Sequence, residues 1–162
     1  MQQILYHGSK EIVKNPEVRE PNRTLDFGKG FYLTSSAEQA ERWVKNHLDA
    51  EEIGYVNLYS IDLDALPTLM KVLTFNGPTE EWVGFVLNNR VVNGYTHDYD
   101  IVIGPVANDR VYAQFSLFEG GIISKETLIR ELKAYKLVDQ YLFHTHRSLE
   151  YLKYVDNYEV KK

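Results

Sequence analysis

Residues 27–34, Phe-Gly-Lys-Gly-Phe-Tyr-Leu-Thr, constrain this chain more than any other stretch. Gly28 and Gly30 flank Lys29 and lead straight into aromatic and β-branched residues, so a turn that glycine favours must deliver a strand. Such a turn can lie flat against a ligand whose ring an aromatic side chain covers. It is not a P-loop, because no Lys and Ser/Thr follow the second glycine, and it is not the Gly-x-Gly-x-x-Gly dinucleotide fingerprint. Taken alone, Gly-Lys-Gly reads as an ordinary turn. Its neighbourhood decides the matter.

The elements around that turn mix without regular alternation. Ile4 to His7 reads as a first strand stopping at Gly8-Ser9, and residues 10 to 26, with Pro16 and Pro21, read as a loop. A strand over Gly30 to Thr34 is followed by a helix capped at Ser35, with Glu38 completing a capping box, continuing to about Ala50. Tyr55 to Leu63 and Leu69 to Phe75 read as strands. Pro78 opens a helix presenting Trp82, Phe85, Val86 and Asn89 on one face. Asp100 to Val106 reads as a buried strand, Ser124 caps a helix through Leu132, and Gln140 to Thr145 forms a strand followed by a short helix and a last strand. This order predicts an α+β fold rather than a doubly wound parallel sheet.

Composition sets the outer limits. The 162 residues fit one domain spanning 1–162, without repeat or linker, and a chain of this size buries about two thirds of its unfolded surface. No cysteine is present, which removes disulfides, thiolate nucleophiles and cysteine-ligated metals and fits a reducing compartment. No apolar run approaches the roughly 18 residues of a membrane span, and no basic leader precedes one, so the expectation is a cytoplasmic chain without a membrane partner. A net charge of −5 argues against attraction of nucleic acid by bulk electrostatics.

Several side chains have chemistry to offer. His7 can donate or accept through its ring nitrogens, or be satisfied in the core. Ser9 is equally a ligand or a turn residue. Tyr32 and Trp43 are candidate stacking rings, though burial alone explains either. Arg23 and Lys29 are the cations nearest the glycine turn, by sequence proximity. His144 and His146, with Asp139 nearby, have loose metal-ligand spacing, but without cysteine the pattern reads as coincidence and no metal is expected. Glu80-Glu81 suits a helix N-terminus. Asp98, Asp100 and Asp109-Arg110 either line an acceptor site or end strands.

Three blocks stand in order: Leu5-Tyr6-His7-Gly8-Ser9, Phe27-Gly28-Lys29-Gly30-Phe31-Tyr32-Leu33 and Gln140-Tyr141-Leu142-Phe143. They resemble the motifs of the poly(ADP-ribose) polymerase catalytic domain, in the diphtheria-toxin-like branch of ADP-ribosyltransferases. More narrowly, the chain resembles a bacterial domain-of-unknown-function family, number 3990, of small single-domain relatives. The matching blocks cover about a fifth of the chain and span residues 5 to 143.

The resemblance implies a split, mostly antiparallel sheet with peripheral helices, and NAD as co-substrate. His7 would grip a ribose hydroxyl and Gly8 would pair with the nicotinamide carboxamide, with Ser9, Phe27, Gly28, Lys29 and Gly30 about the cofactor. Tyr32 and Trp43 would sandwich nicotinamide. Ala40 stands where the polymerases place a carboxamide-binding serine. Gln140 stands where they carry a glutamate, which keeps a hydrogen bond to the ribose and drops the charge. The implied activity is mono-ADP-ribosyl transfer to an unknown macromolecular acceptor, protein or nucleic acid, with chain elongation lost. A toxin or phage-defence role with an antitoxin partner is implied by the same resemblance. A catalytically silent NAD or ADP-ribose binding module is the alternative. An RNA 2′-phosphotransferase fits the negative charge less well.

Overall fold

The glycine turn delivers its strand into the middle of a seven-stranded sheet. The computed structural model describes residues 1–19, 25–92 and 94–162. Seven strands are described, β1 (Gln2–Ser9), β2 (Phe31–Thr34), β3 (Ile53–Asp62), β4 (Val72–Thr74), β5 (Ile101–Pro105), β6 (Asp139–Phe143) and β7 (Lys153–Lys161). They lie in the order β4-β5-β6-β2-β1-β3-β7. The β4–β5 pair is parallel and the others are antiparallel. Five α-helices pack around it, α1 (Ala37–His47), α2 (Glu80–Val91), α3 (Asp109–Glu119), α4 (Lys125–Lys133) and α5 (His146–Leu149). The class is α+β, as expected from the irregular order of elements. No helix among the described residues is long and apolar enough to cross a membrane.

Cap chemistry sets the helix starts. Ser36, not Ser35, caps α1 by accepting from the Gln39 amide, because Ser35 lies one residue too early to reach an orphan N–H. That helix ends at His47, short of Ala50. Ser124 caps α4 as expected, and α2 buries Trp82, Phe85, Val86 and Asn89. Helix α3 was not anticipated. Its signals are an Asn108 cap bonded to the Val111 amide and a Val111, Tyr112, Phe115, Phe118 spacing. The strand expected over 69–75 shortens to Val72–Thr74 on the sheet edge.

Helical cover changes over along the middle of the sheet. Helix α1 packs Ala40 and Val44 against Val56 and Val160, on the β1-β3-β7 half. Helices α2, α3 and α4 pack Trp82, Val111, Phe115 and Leu128 with Val102 and Leu142, on the β5-β6 half. The opposite face buries Leu5, Phe31, Leu33, Tyr141 and Phe143 beneath Leu149 and Leu152. At about 25 cal/mol per Å² of apolar surface removed from water, these layers are the main source of stability.

Between the two blocks of helices, the ladder itself opens. Strands β1 and β3 pair at eight positions, whereas β1 and β2 are aligned only at Tyr6 and Thr34. From that pair the two strands continue toward Ser9 and Phe31 without a further ladder pair among the described residues. This gap in the pairing, within one continuous seven-stranded sheet, is a local split between β1 and β2.

Candidate functional site

The turn before β2 is anchored on every side. Phe27 has no exposed surface and meets Phe75 and Phe85 in the core, so its ring holds the turn from inside and is not available to a ligand. The Tyr32 hydroxyl donates to the Gly28 carbonyl (2.5 Å) and accepts from the Phe27 amide (3.1 Å). His97 Nε2 donates to the Phe27 carbonyl (2.7 Å) and His144 Nδ1 to the Lys29 carbonyl (2.6 Å), their rings 4.2 Å apart. A Cβ on Gly30 (φ +149°) would lie 2.5 Å from both Leu142 and the Phe143 carbonyl, so this position needs glycine twice over. Lys29 extends to the surface. Arg23 lies outside the described residues.

Across the split, Gly8 forms the other wall. A Cβ there would sit 2.6 Å from the Ala40 carbonyl, 2.7 Å from Val44 and 3.4 Å from Trp43, so glycine is what lets α1 descend onto β1. That descent places Trp43 directly over Gly8. The indole is 41% exposed, which no core role explains, and it stacks on His47 at 4.0 Å. Ala40 is buried beneath it. Ser9 resolves toward the turn reading, its hydroxyl accepting from the Glu11 amide at 3.2 Å.

Strand alternation sorts the remaining residues between the faces. Register places Tyr6, Tyr32, Thr34, Gln140 and Leu142 on the face that carries α1 to α4, together with Gly8. His7 alternates to the other face, where its ring meets Phe31 at 4.1 Å. Its Nδ1 reaches across the split and donates to the Tyr32 carbonyl (2.6 Å), standing in for a missing ladder bond. Because a carbonyl only accepts, Nδ1 carries the proton and Nε2 of the neutral ring is left as an acceptor. Burial pushes this imidazole down to about 4, against the pull of the Tyr32 bond toward the charged form. Asn57, fully buried, backs the strand by donating to the His7 and Glu11 carbonyls and accepting from the Val13 amide.

Gln140 sits in β6 opposite Thr34, on the same face as Tyr32. Its Nε2 is buried and completes no hydrogen bond among the described residues. Nearby stands Asp26, immediately before the turn, a residue to which the sequence reading assigned no role. The Tyr112 hydroxyl of α3 donates to its two oxygens (3.0 and 3.3 Å), and Arg90 Nε of α2 lies 4.0 Å away while its guanidinium covers the Tyr112 ring. Burial raises the Asp26 carboxyl above the usual carboxylate range, in spite of Tyr112, Arg90 and Gln140, which all favour its charged form. Its only sequence signal is a carboxylate beside a glycine turn.

Other candidates are spent on structure. Asp100, 2% exposed, accepts from Arg147 Nη2 (2.6 Å) and Nε (2.8 Å), Thr145 Oγ1 (2.7 Å) and the Lys71 amide (2.9 Å), so it is committed to the start of β5 rather than to an acceptor site. His144 belongs to the glycine turn, and no group of three metal-type side chains occurs among the described residues. Two surface hollows, one lined by Ala50–Ile53 with Lys161 and Lys162 and one by Glu11–Asn15 with Arg19, border none of the candidate residues.

No curated protein matches this sequence. The profile of one protein family, described as "Protein of unknown function (DUF3990)", matches residues 3–154, from the first strand through the start of the last. The match contains both walls of the split and Gln140, and with nearly the whole chain inside it, this protein belongs to the DUF3990 family.

Proposed function

We propose that this protein is an NAD-dependent mono-ADP-ribosyltransferase acting at the split between β1 and β2. One observation carries the reading: Gly8, the exposed indole of Trp43, Tyr32 and Gln140 meet on one face where the ladder opens. The Gly8 backbone would hold the nicotinamide carboxamide, and the Tyr32 and Trp43 rings would flank the nicotinamide. His7 enters from the opposite face, and through its bond to the Tyr32 carbonyl it would hold that wall of the site in place.

In the reaction the bond from ribose C1′ to the nicotinamide nitrogen breaks with its electron pair, and neutral nicotinamide leaves. A lone pair on the acceptor forms the new bond at C1′ and the acceptor's proton is lost to solvent. Positive charge develops on the ribose in between. Gln140 supplies a dipole there instead of a carboxylate, a change worth on the order of 10²–10³ in rate. The same glutamine favours a second reading, a binding module that holds NAD without turnover.

Incubation with NAD labelled in the adenylate half separates the two readings. Label fixed on a macromolecule with equimolar nicotinamide release, reduced at least tenfold in His7→Ala and Trp43→Ala, is the transferase result. Saturable NAD binding without nicotinamide release assigns the module. Absence of both binding and release sinks the site altogether. A toxin role adds one expectation, growth arrest on expression that His7→Ala relieves.

A further inference from the structure

We infer that Asp26 fixes the side-chain amide of Gln140, taking an Nε2–H and leaving Oε1 as the acceptor presented to the face shared with Tyr32. Its role in the transferase rests on the function proposed above; the amide's orientation does not.

The argument starts from an imbalance. A buried amide nitrogen without a partner is unfavourable, and Gln140 Nε2 is such an atom among the described residues. A buried carboxylate needs donors, and beside the Tyr112 hydroxyl, the Ala107 backbone N–H and a more distant Arg90, Asp26 has oxygen lone pairs to offer the amide. The unpartnered Nε2 is a donor and the carboxylate accepts. Gln140 lies close enough to act as a hydrogen-bond partner of the ionised Asp26, and a small rotation of the amide brings Nε2, otherwise without a partner among the described residues, onto the carboxylate.

Chemistry then selects the orientation of the amide. Ionised Asp26 is an acceptor only, so it meets the NH₂ end of Gln140 and turns the carbonyl end away. A glutamate at 140 would instead bring two carboxylates together, and both could not ionise. The glutamine and the aspartate therefore form a matched pair. Asp26 acts through Gln140 and is a positioning residue; the ribose would meet Oε1. Around Asp26 stand Tyr112 from α3, Arg90 from α2, Gln140 from β6 and the Ala107 backbone N–H before α3, and of these only Arg90 carries a full charge at neutral pH.

The test is a pH titration of the Gln140 side-chain NH₂ signals by nitrogen–proton NMR on the full chain, assigned by their loss in Gln140→Glu. The wild-type pair should move with a single midpoint above the usual carboxylate range, and in Asp26→Asn it should stop moving. Tyr112→Phe removes a donor to the carboxylate and should shift the Gln140 midpoint upward, which provides a second route if Asp26→Asn does not fold. Signals that ignore pH in the wild type, or that titrate equally in Asp26→Asn or unshifted in Tyr112→Phe, overturn the inference. In NAD turnover, Asp26→Asn should lower kcat by roughly tenfold with KM changed less, because orientation matters most as charge develops. If wild-type protein releases no nicotinamide, the transferase reading falls, and the NMR result alone decides whether Asp26 holds the amide.

Discussion

Two buried aspartates at opposite ends of the central strands carry opposite meanings. Asp100, at the start of β5, is met by both forks of Arg147, a threonine hydroxyl and a backbone amide, and these hold its carboxyl below the ordinary range. Asp26, before the glycine turn, has one hydroxyl and a guanidinium at 4.0 Å, and burial wins over them. The same residue type therefore serves as a lock in one region and a partly compensated charge in the other. What differs is which influence wins: Arg147 in direct contact outweighs burial at Asp100, whereas burial outweighs Tyr112, Arg90, Gln140 and the Ala107 amide at Asp26. A charge that burial disfavours in spite of its donors is the more informative find, because folding alone gives no reason to keep it.

The comparison can be broken first at Asp100. Replacing Asp100 by Ala strands the Thr145 hydroxyl and the Lys71 amide and leaves Arg147 to solvent, and should cost about 3 kcal/mol in urea unfolding at pH 7. Next comes acid. His7, favoured neutral in the fold, contributes stability that is full above pH 6.5 and lost as pH falls toward about 4, a loss of about 3 kcal/mol. His7→Asn should flatten that part of the curve, measured as unfolding free energy against pH.

A smaller effect tests the matched pair directly. Gln140→Glu should destabilise by about 1 kcal/mol at pH 7 by crowding a second carboxylate against Asp26, and Asp26→Asn should abolish that cost in a double-mutant cycle. The same double variant, rather than Gln140→Glu alone, should show the larger nicotinamide release. Smallest is Asp26→Asn by itself. With its carboxyl raised, Asp26 supports the fold most below pH 3.8 and loses that contribution as pH climbs through the raised value. Asp100 has the reverse sign, its contribution present above pH 3.8 and lost as pH falls. At pH 7, Asp26→Asn should therefore raise stability slightly where Asp100→Ala lowers it. Destabilisation by both would erase the distinction.

Much of the scaffold was legible because local chemistry wrote it. The buried face of α2, the Ser124 cap and the strand at 101–105 follow from periodicity and from one side chain meeting one amide. Where two serines adjoin, as at 35 and 36, composition does not say which one reaches an orphan N–H. Helix α3 is absent from the expected elements, although its Asn108 cap and its Val111, Tyr112, Phe115, Phe118 spacing carry the signal. Trp43 had two equal explanations until α1 was seen to descend onto Gly8, leaving the indole exposed above it. Ser9 likewise needed its Glu11 contact. Phe27 reverses its expected part, since its side chain supports the turn from the core.

The glycine turn, the three ordered blocks, the α+β class and the family are all legible in the sequence. Local propensities and backbone freedom act over a few residues, so they can be read in a line. Folding alone brings β1 and β2 to a single ladder pair among the described residues, lets His7 bridge the gap from the opposite face, and makes Asp26, Arg90, Tyr112 and Gln140 converge. Those four come from the turn before β2, from α2, from α3 and from β6. Their relation is one of desolvation and shared protons, and it exists only once burial has removed the water between them.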